Sequence, residues 1–346
     1  MSIGTNSELG YRSIIATEPE IVYGVAQTTT SATNYTEVTS FSPSMKIEEL
    51  KSPELNSTRD YTRRFQMNKT VDGSVEKHLH PIDGIDLLRH ALGGTLSTTA
   101  LSTGVYQHDI TPDDTQFAIA TATETSLTID ARKGPNRTYR YTGLRVNNMT
   151  ITGEIGSPVT VAYELLGKDA ASLTAGSSLT DTAVSYSCER PFLFQDISMQ
   201  YADTVASLTT TSQFSLVGCE IGVANNLNGD TRSLGTDTVS DLPPGRRDVT
   251  AKLTMRADTS TVYEWFRDGT AKAVRFIIEG SSITAGDNFS LAFTMPEVYF
   301  NNADPEIGDE GVIMIEPELT VVRACPIGTT TSYAVKCELV NNVTSY

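Results

Sequence analysis

From Thr138 to Asp169 the chain reads TYRYTGLRVNNMTITGEIGSPVTVAYELLGKD. Tyr139 and Tyr141 alternate with Thr and Arg, and Val146, Met149 and Ile151 lead to Gly153 and Gly156. Pro158 then opens a second alternating run through Val159, Val161, Tyr163 and Leu165. Apolar residues at every second position, bounded by Gly and Pro, predict successive β-strands joined by tight turns. Further strands are predicted at Leu127–Ile129, Val274–Ile278, Phe289–Phe300 and Val312–Ile315.

Helical spacing is confined to two short segments. In DGIDLLRHALGG, Ile85, Leu88 and Leu92 share one face, Asp86 lies near the positive end, and Gly93 suits the position after the last turn. In TVYEWFRDG, Thr261 and Glu264 have capping-box spacing and Gly269 ends the helix. Each helix follows a segment opened by a Phe (Phe41, Phe214) and an Arg pair (Arg63-Arg64, Arg246-Arg247), and each precedes paired strands. The offset between the two passes is about 173 residues at the phenylalanines and about 183 at the arginine pairs, then about 150 in the later strands. Such drift predicts a duplicated domain with a loop insertion, the long polar segment Thr95–Glu124. The expected division is residues 1–170, a Gly/Ser/Thr-rich linker at 171–187, and a second domain at 188–346.

Composition sharpens the fold class. Nearly one residue in seven is threonine, which favours a half-exposed pleated sheet. A formal net charge of −16, from 26 basic and 42 acidic residues, disfavours a protein built to grip nucleic acid. The N-terminal stretch shows no basic region followed by an apolar core, so no secretory signal is expected. No apolar run approaches the ~20 residues that a spanning helix needs.

Candidate chemistry is thin. His78 and His80 would share a face on a strand, as two legs of a metal site do, but a third ligand is not apparent. His90 is expected as a cation near a helix C-terminus, and His108 as a loop residue. The acidic stretches His108–Thr115 and Ala303–Gly311 match no EF-hand loop, and NNLNGD carries a hairpin-turn signal at Asn228-Gly229. Cys188, Cys219, Cys325 and Cys337 form no tight zinc spacing and are expected as thiols, with a Cys325–Cys337 bridge as the alternative. Trp265 is expected to anchor its helix on a sheet. There is no nucleophile elbow, Walker loop or dinucleotide fingerprint, so no enzymatic activity, cofactor or metal is expected.

The order of segments EPEIVYGV, DGSVEKHLHPIDGIDLLRHALGG, the Thr138–Asp169 run, and VANNLNGDTRSLG followed by LPPGRRDVTAKLTM resembles the tail tube (major tail) proteins of long, non-contractile-tailed, siphovirus-type bacteriophages. The resemblance implies a mainly β fold: two tandem β-sandwich tail-tube domains, each with a short flanking helix, contributing to a shared inner β-barrel. It implies a structural virion protein that polymerises into stacked rings and forms the conduit for genome ejection. A duplicated chain would fill a ring as a trimer with pseudo-sixfold symmetry, with a hexameric ring as the alternative. Implied partners are further copies of itself, the tape measure, tail terminator and distal tail proteins, and double-stranded DNA passing through the lumen without specific binding. The implied location is the virion tail, assembled in the host cytoplasm without a membrane. Tyr106, Phe117 and Ile119, apolar residues in a polar context, are the expected subunit or ring contacts. The competing class is a surface β-sandwich that binds receptor or carbohydrate, against which stands the lack of a concentrated Trp/Tyr platform.

Overall fold

The structure is a computed structural model and describes residues 10–27, 34–54, 59–112, 126–134, 137–173, 179, 186–209, 213–257, 260–305, 312–326, 332–344 and 346. It is mainly β. In chain order the first elements are β1 (Ile14–Glu20), β2 (Asn34–Thr36), β3 (Ser40–Phe41), β4 (Ser44–Lys51), β5 (Arg64–His78) and α1 (Ile85–Leu92). There follow β6 (Gly94–Ser102), β7 (Val105–Pro112), β8 (Ser126–Arg132), β9 (Thr138–Glu154), β10 (Thr160–Gly167) and β11 (Asp169–Leu173). The remainder comprises β12 (Ile197–Ala202), β13 (Gln213–Phe214), β14 (Leu216–Ala224), β15 (Asp248–Arg256), α2 (Thr261–Asp268), β16 (Lys272–Thr284), β17 (Asp287–Asn301), β18 (Met314–Ile315), β19 (Glu318–Val322) and β20 (Lys336–Asn341).

One antiparallel run crosses the molecule in the order β4, β5, β10, β9, β14, β15, β19, β17. Because side chains alternate, each register row belongs to one face. The row Lys77, Val161, Ile151, Ile221, Ala251, Leu319 and Phe300 is buried throughout. Neighbouring rows put Glu76, Ala162, Thr150, Gly222, Thr250, Thr320 and Tyr299, and then His78, Thr160, Thr152, Glu220, Lys252, Glu318 and Asn301, on the opposite face. That second face is half-buried to exposed. The abundance of threonine follows: its methyl packs along the pleat and its hydroxyl tolerates water.

The opening segment departs from its expected form in one respect. The alternating residues from Tyr139 to Ile151 belong to a single 17-residue strand, β9. Gly143 sits within it at φ +67°, where a side chain would be strained. Its N–H donates to the Glu20 carboxylate at 3.0 Å, which holds the kink in place. Beyond the kink β9 changes one neighbour, from β8 to β14, while β11 and β10 follow one another in continuous register on its other side.

Both helices form as expected, with Gly93 at φ 59° and Gly269 at φ 62° after their last turns. The cap of α2 lies one residue earlier than predicted, at Ser260, whose hydroxyl donates to Glu264 at 2.9 Å. Trp265 packs against Tyr201, Phe214 and Phe300 as a helix anchor should. The polar segment expected as a loop after α1 instead begins with a hairpin, β6–β7, and β7 pairs with β20 near the other end of the chain. Asn228-Gly229 is not a tight hairpin turn either, since it lies in the long connection between β14 and β15.

Candidate functional site

Two features of the run stand exposed in the single chain. The first is an arm. β5 pairs with β10 only from Val71 onward, so Arg64–Thr70 extend past the sheet by roughly 23 Å with β4 as their only strand partner among the described residues. Ile47, Leu50, Tyr61, Phe65 and Met67 on this arm are between 38% and 69% exposed. Its charges are satisfied locally: Arg64 pairs with Glu49, Arg63 reaches Glu54 at 3.7 Å, and Lys46 meets Asp72 at 2.6 Å. Exposed pairs of this kind contribute at most ~1 kcal/mol each.

The second is a pair of open strand edges. β4 pairs with β5 alone among the described strands, which leaves its other edge open. β17 carries β19 and β20 on one side and β16 on the other, and β16 reaches only to Val298. In β9 the corresponding side is taken over beyond the kink by β14, through Gly218–Ala224 against Glu154–Asn148. Unpaired backbone groups at an open edge are a template for another strand.

The half-exposed face of the run carries Glu76, Glu164, Glu220, Asp248 and Glu318, with Lys252 as the one lysine in the same register rows. Between the carboxylates lie mainly Thr, Ser, Ala and Gly, with His78, Asn148, Tyr299 and Asn301 as the larger side chains.

The end of the run that bears the arm is covered over its first half by the connection between β14 and β15. The Lys69 N–H donates to the Asp237 carbonyl at 2.7 Å and its ammonium pairs with the Asp237 carboxylate at 2.6 Å. Arg145, fully buried, donates to the Leu242 carbonyl and lies 3.1 Å from Asp241, with its guanidinium 5.1 Å from the Tyr23 ring. Burial is the main influence on Arg145 and lowers its pKa, against the opposing pull of Asp241.

The histidines take different places from those expected. His90 is buried on α1; burial, then the charges of Arg89 and Arg145, lower its pKa to about 3, so it is neutral rather than a helix-end cation. His108 is not in a loop but in β7, where it meets Thr98 at 2.9 Å and Asn341 at 3.1 Å. His80 lies 3.6 Å from Glu37. All four cysteines are thiols, including Cys325 and Cys337. Tyr106 lies in β7 opposite Asn341 and is half-buried, while Phe117 and Ile119 fall outside the described residues. Sequence reasoning missed the arm; the signal was the alternation of Phe65 and Met67 in a stretch of high charge, while the bulge between Ile47 and Glu49 breaks the pattern on the facing strand.

No helix among the described residues is long and apolar enough to cross a membrane. Among curated proteins none matches the chain. The family model described as phage tail tube protein matches residues 6–322, nearly the whole length. An extended sheet with open edges, an unpartnered arm and this match agree, and the chain belongs to the phage tail tube protein family, whose members are structural components of the virion tail.

Proposed function

We propose that the chain builds the tail tube of a siphovirus-type phage as a trimeric ring in which each copy contributes two tail-tube domains. The observation that carries this reading is the repetition of one order: a strand pair, a short helix, and a long antiparallel pair, first as β4–β5, α1 and β8–β9, then as β14–β15, α2 and β16–β17. The proposed domains are residues 1–170 and 188–346, with 171–187 between them. In this reading the open edge of β4 adds to β17 of the next copy on the side and end where β14 adds to β9 within one chain. Three copies then close the run into a barrel, and every inner edge is paired.

The half-exposed face would line the lumen. Carboxylates there repel DNA phosphates, and most of the residues between them are short. Tape measure, terminator and distal tail proteins would meet the tube at its interior and ends, with assembly in the host cytoplasm. Tyr106, Phe117 and Ile119 are the candidate contacts between stacked rings. Val105, His108 and Ile110 are buried in β7, so point changes test this better than deletion of the hairpin. Phe117→Ser with Ile119→Ser should block stacking and leave the melting temperature unchanged; normal stacks refute the assignment.

The test of the main reading is electron microscopy of purified protein with rotational averaging of end-on views. Three strong lobes, or six alternating ones, support the trimer. Six identical lobes keep the tube and refute the trimer. No observation favours the surface-binding alternative.

A further inference from the structure

At the end of the run that bears the arm, the second half presents a cleft of about 710 Å³ lined by Arg246, Arg247, Asp248, Val321, Arg323 and Tyr333. Three arginines line it, on a chain of net charge −16. Two of them are held in place: Arg247 donates to the Asn225 side chain at 3.4 Å and Arg323 to the Ser332 hydroxyl at 3.1 Å. The cleft sits where β15 begins and β19 ends.

The first half has the same end closed. Its cover is the connection between β14 and β15, which buries Val239 and Leu242 and lays Asp237 and Asp241 on Lys69 and Arg145. The same connection is tied to α1, because the Asn225 side chain donates to the Ala91 carbonyl at 2.8 Å. A strand connection that precedes a helix therefore covers the preceding half of the molecule, with carboxylates on the incoming segment and cations on the receiving one. The β4–β5 arm holds the equivalent place before α1, yet Ile47, Leu50, Phe65 and Met67 on it stay 38–47% exposed in the single chain. One chain thus has an open cationic cleft at one end of its series of halves and an unpartnered arm at the other.

We propose that the cleft at Arg246, Arg247 and Arg323 receives the β4–β5 arm of a second copy of this chain. This rests on the self-assembly described above and adds a contact distinct from the strand-edge pairing. The arm offers the cleft the carboxylates Glu48, Glu49 and Glu54; Glu48 accepts from Asn68, and Glu49 and Glu54 hold exposed pairs with Arg64 and Arg63 that solvent already weakens. Leu50 and Phe65 gain the burial that they lack in the single chain. An arm on the first strands of the run and a cleft on its last strands, both at the same rim, make a heterologous contact, which closes a ring when the rotation per copy allows it.

The test is a chain carrying Glu54→Cys and Arg246→Cys, with the exposed Cys188 and Cys325 replaced by Ser, assembled and treated with a short flexible bismaleimide. Covalent dimers and higher multimers are expected on a denaturing gel, with monomer alone from either single-cysteine variant. Tubes from the wild type together with only monomer from the double-cysteine chain refute the docking and leave the tube reading standing. Wild-type protein that stays monomeric refutes the tube reading, and the docking with it. As a second measurement, Arg246→Glu with Arg323→Glu should raise the threshold concentration for assembly at least about tenfold, while the monomer melts as wild type. An unchanged threshold overturns the proposal.

Discussion

Replacing Arg145 separates the contribution of the β14–β15 connection from that of the sheet beneath it. The side chain has no exposure, donates to the Leu242 carbonyl, and faces Asp241 at 3.1 Å and the Tyr23 ring at 5.1 Å. Arg145→Ala removes all three contacts and leaves a cavity. Breaking a buried ion pair costs about 3–5 kcal/mol when the remaining charge stays dry. Asp241 is 20% exposed and recovers part of its hydration, which lowers that figure. The abandoned carbonyl and the lost contact with Tyr23 add about 1 kcal/mol each. The expected total is about 4 kcal/mol. Arg145→Met keeps most of the volume and should cost about half as much. In a double-mutant cycle with Asp241→Ala, the two changes should be less than additive by at least about 1 kcal/mol. The assay is urea unfolding of the monomer at a concentration below assembly, followed by circular dichroism and by fluorescence of Trp265, the only tryptophan. Trp265 lies in the second half, so coincident transitions also show that the halves unfold together through the β9–β14 and β7–β20 pairings. If Arg145→Ala lies within 1 kcal/mol of wild type, the connection is not anchored as described.

Three further outcomes are expected. His90 titrates near 3 in the folded chain and near ~6.5 when unfolded, so between those values only the unfolded chain takes up the proton. Its contribution is intact above pH ~6.5 and is lost at up to ~1.4 kcal/mol per unit as the pH falls toward 3; His90→Leu should flatten that slope in denaturation measured across pH, and an identical slope refutes the assignment. Gly84→Ala should destabilise by about 1–3 kcal/mol in thermal melts, because φ is +77° and a Cβ would stand 2.5 Å from the buried Lys77 ammonium; a shift below 0.5 kcal/mol counts against it. Ile47→Lys with Leu50→Lys should leave the monomer's melting temperature unchanged and abolish tubes in negative stain, since both side chains are exposed in the single chain; normal tubes would show that the β4 edge is not an interface.

What the sequence determined was local. Alternation at Val159, Val161, Tyr163 and Leu165 can bury one face only as a strand, and β10 is that strand. Ile85, Leu88 and Leu92 with Gly93 can do so only as a short helix with a left-handed stop. The period of the pattern and the conformational range of glycine act within a few residues, so they were readable along the chain. The matching order of the segments was readable for the same reason, and it already resembled the tail tube family.

The rest depended on contacts between distant residues. β9 runs on through Gly143 because the Glu20 carboxylate, more than a hundred residues earlier, accepts the Gly143 N–H. β7 lies between β20 and β6, so Thr-rich sequence with weak apolar alternation becomes a sheet hairpin whose outer strand, β6, stays exposed. His90 loses its charge to burial on a helix face that looked like an exposed terminus. The arm and the cleft are visible only when it is known which strands have partners on both sides. A sequence records what each strand offers, and tertiary structure alone shows which strand edges are left without a neighbour among the described strands.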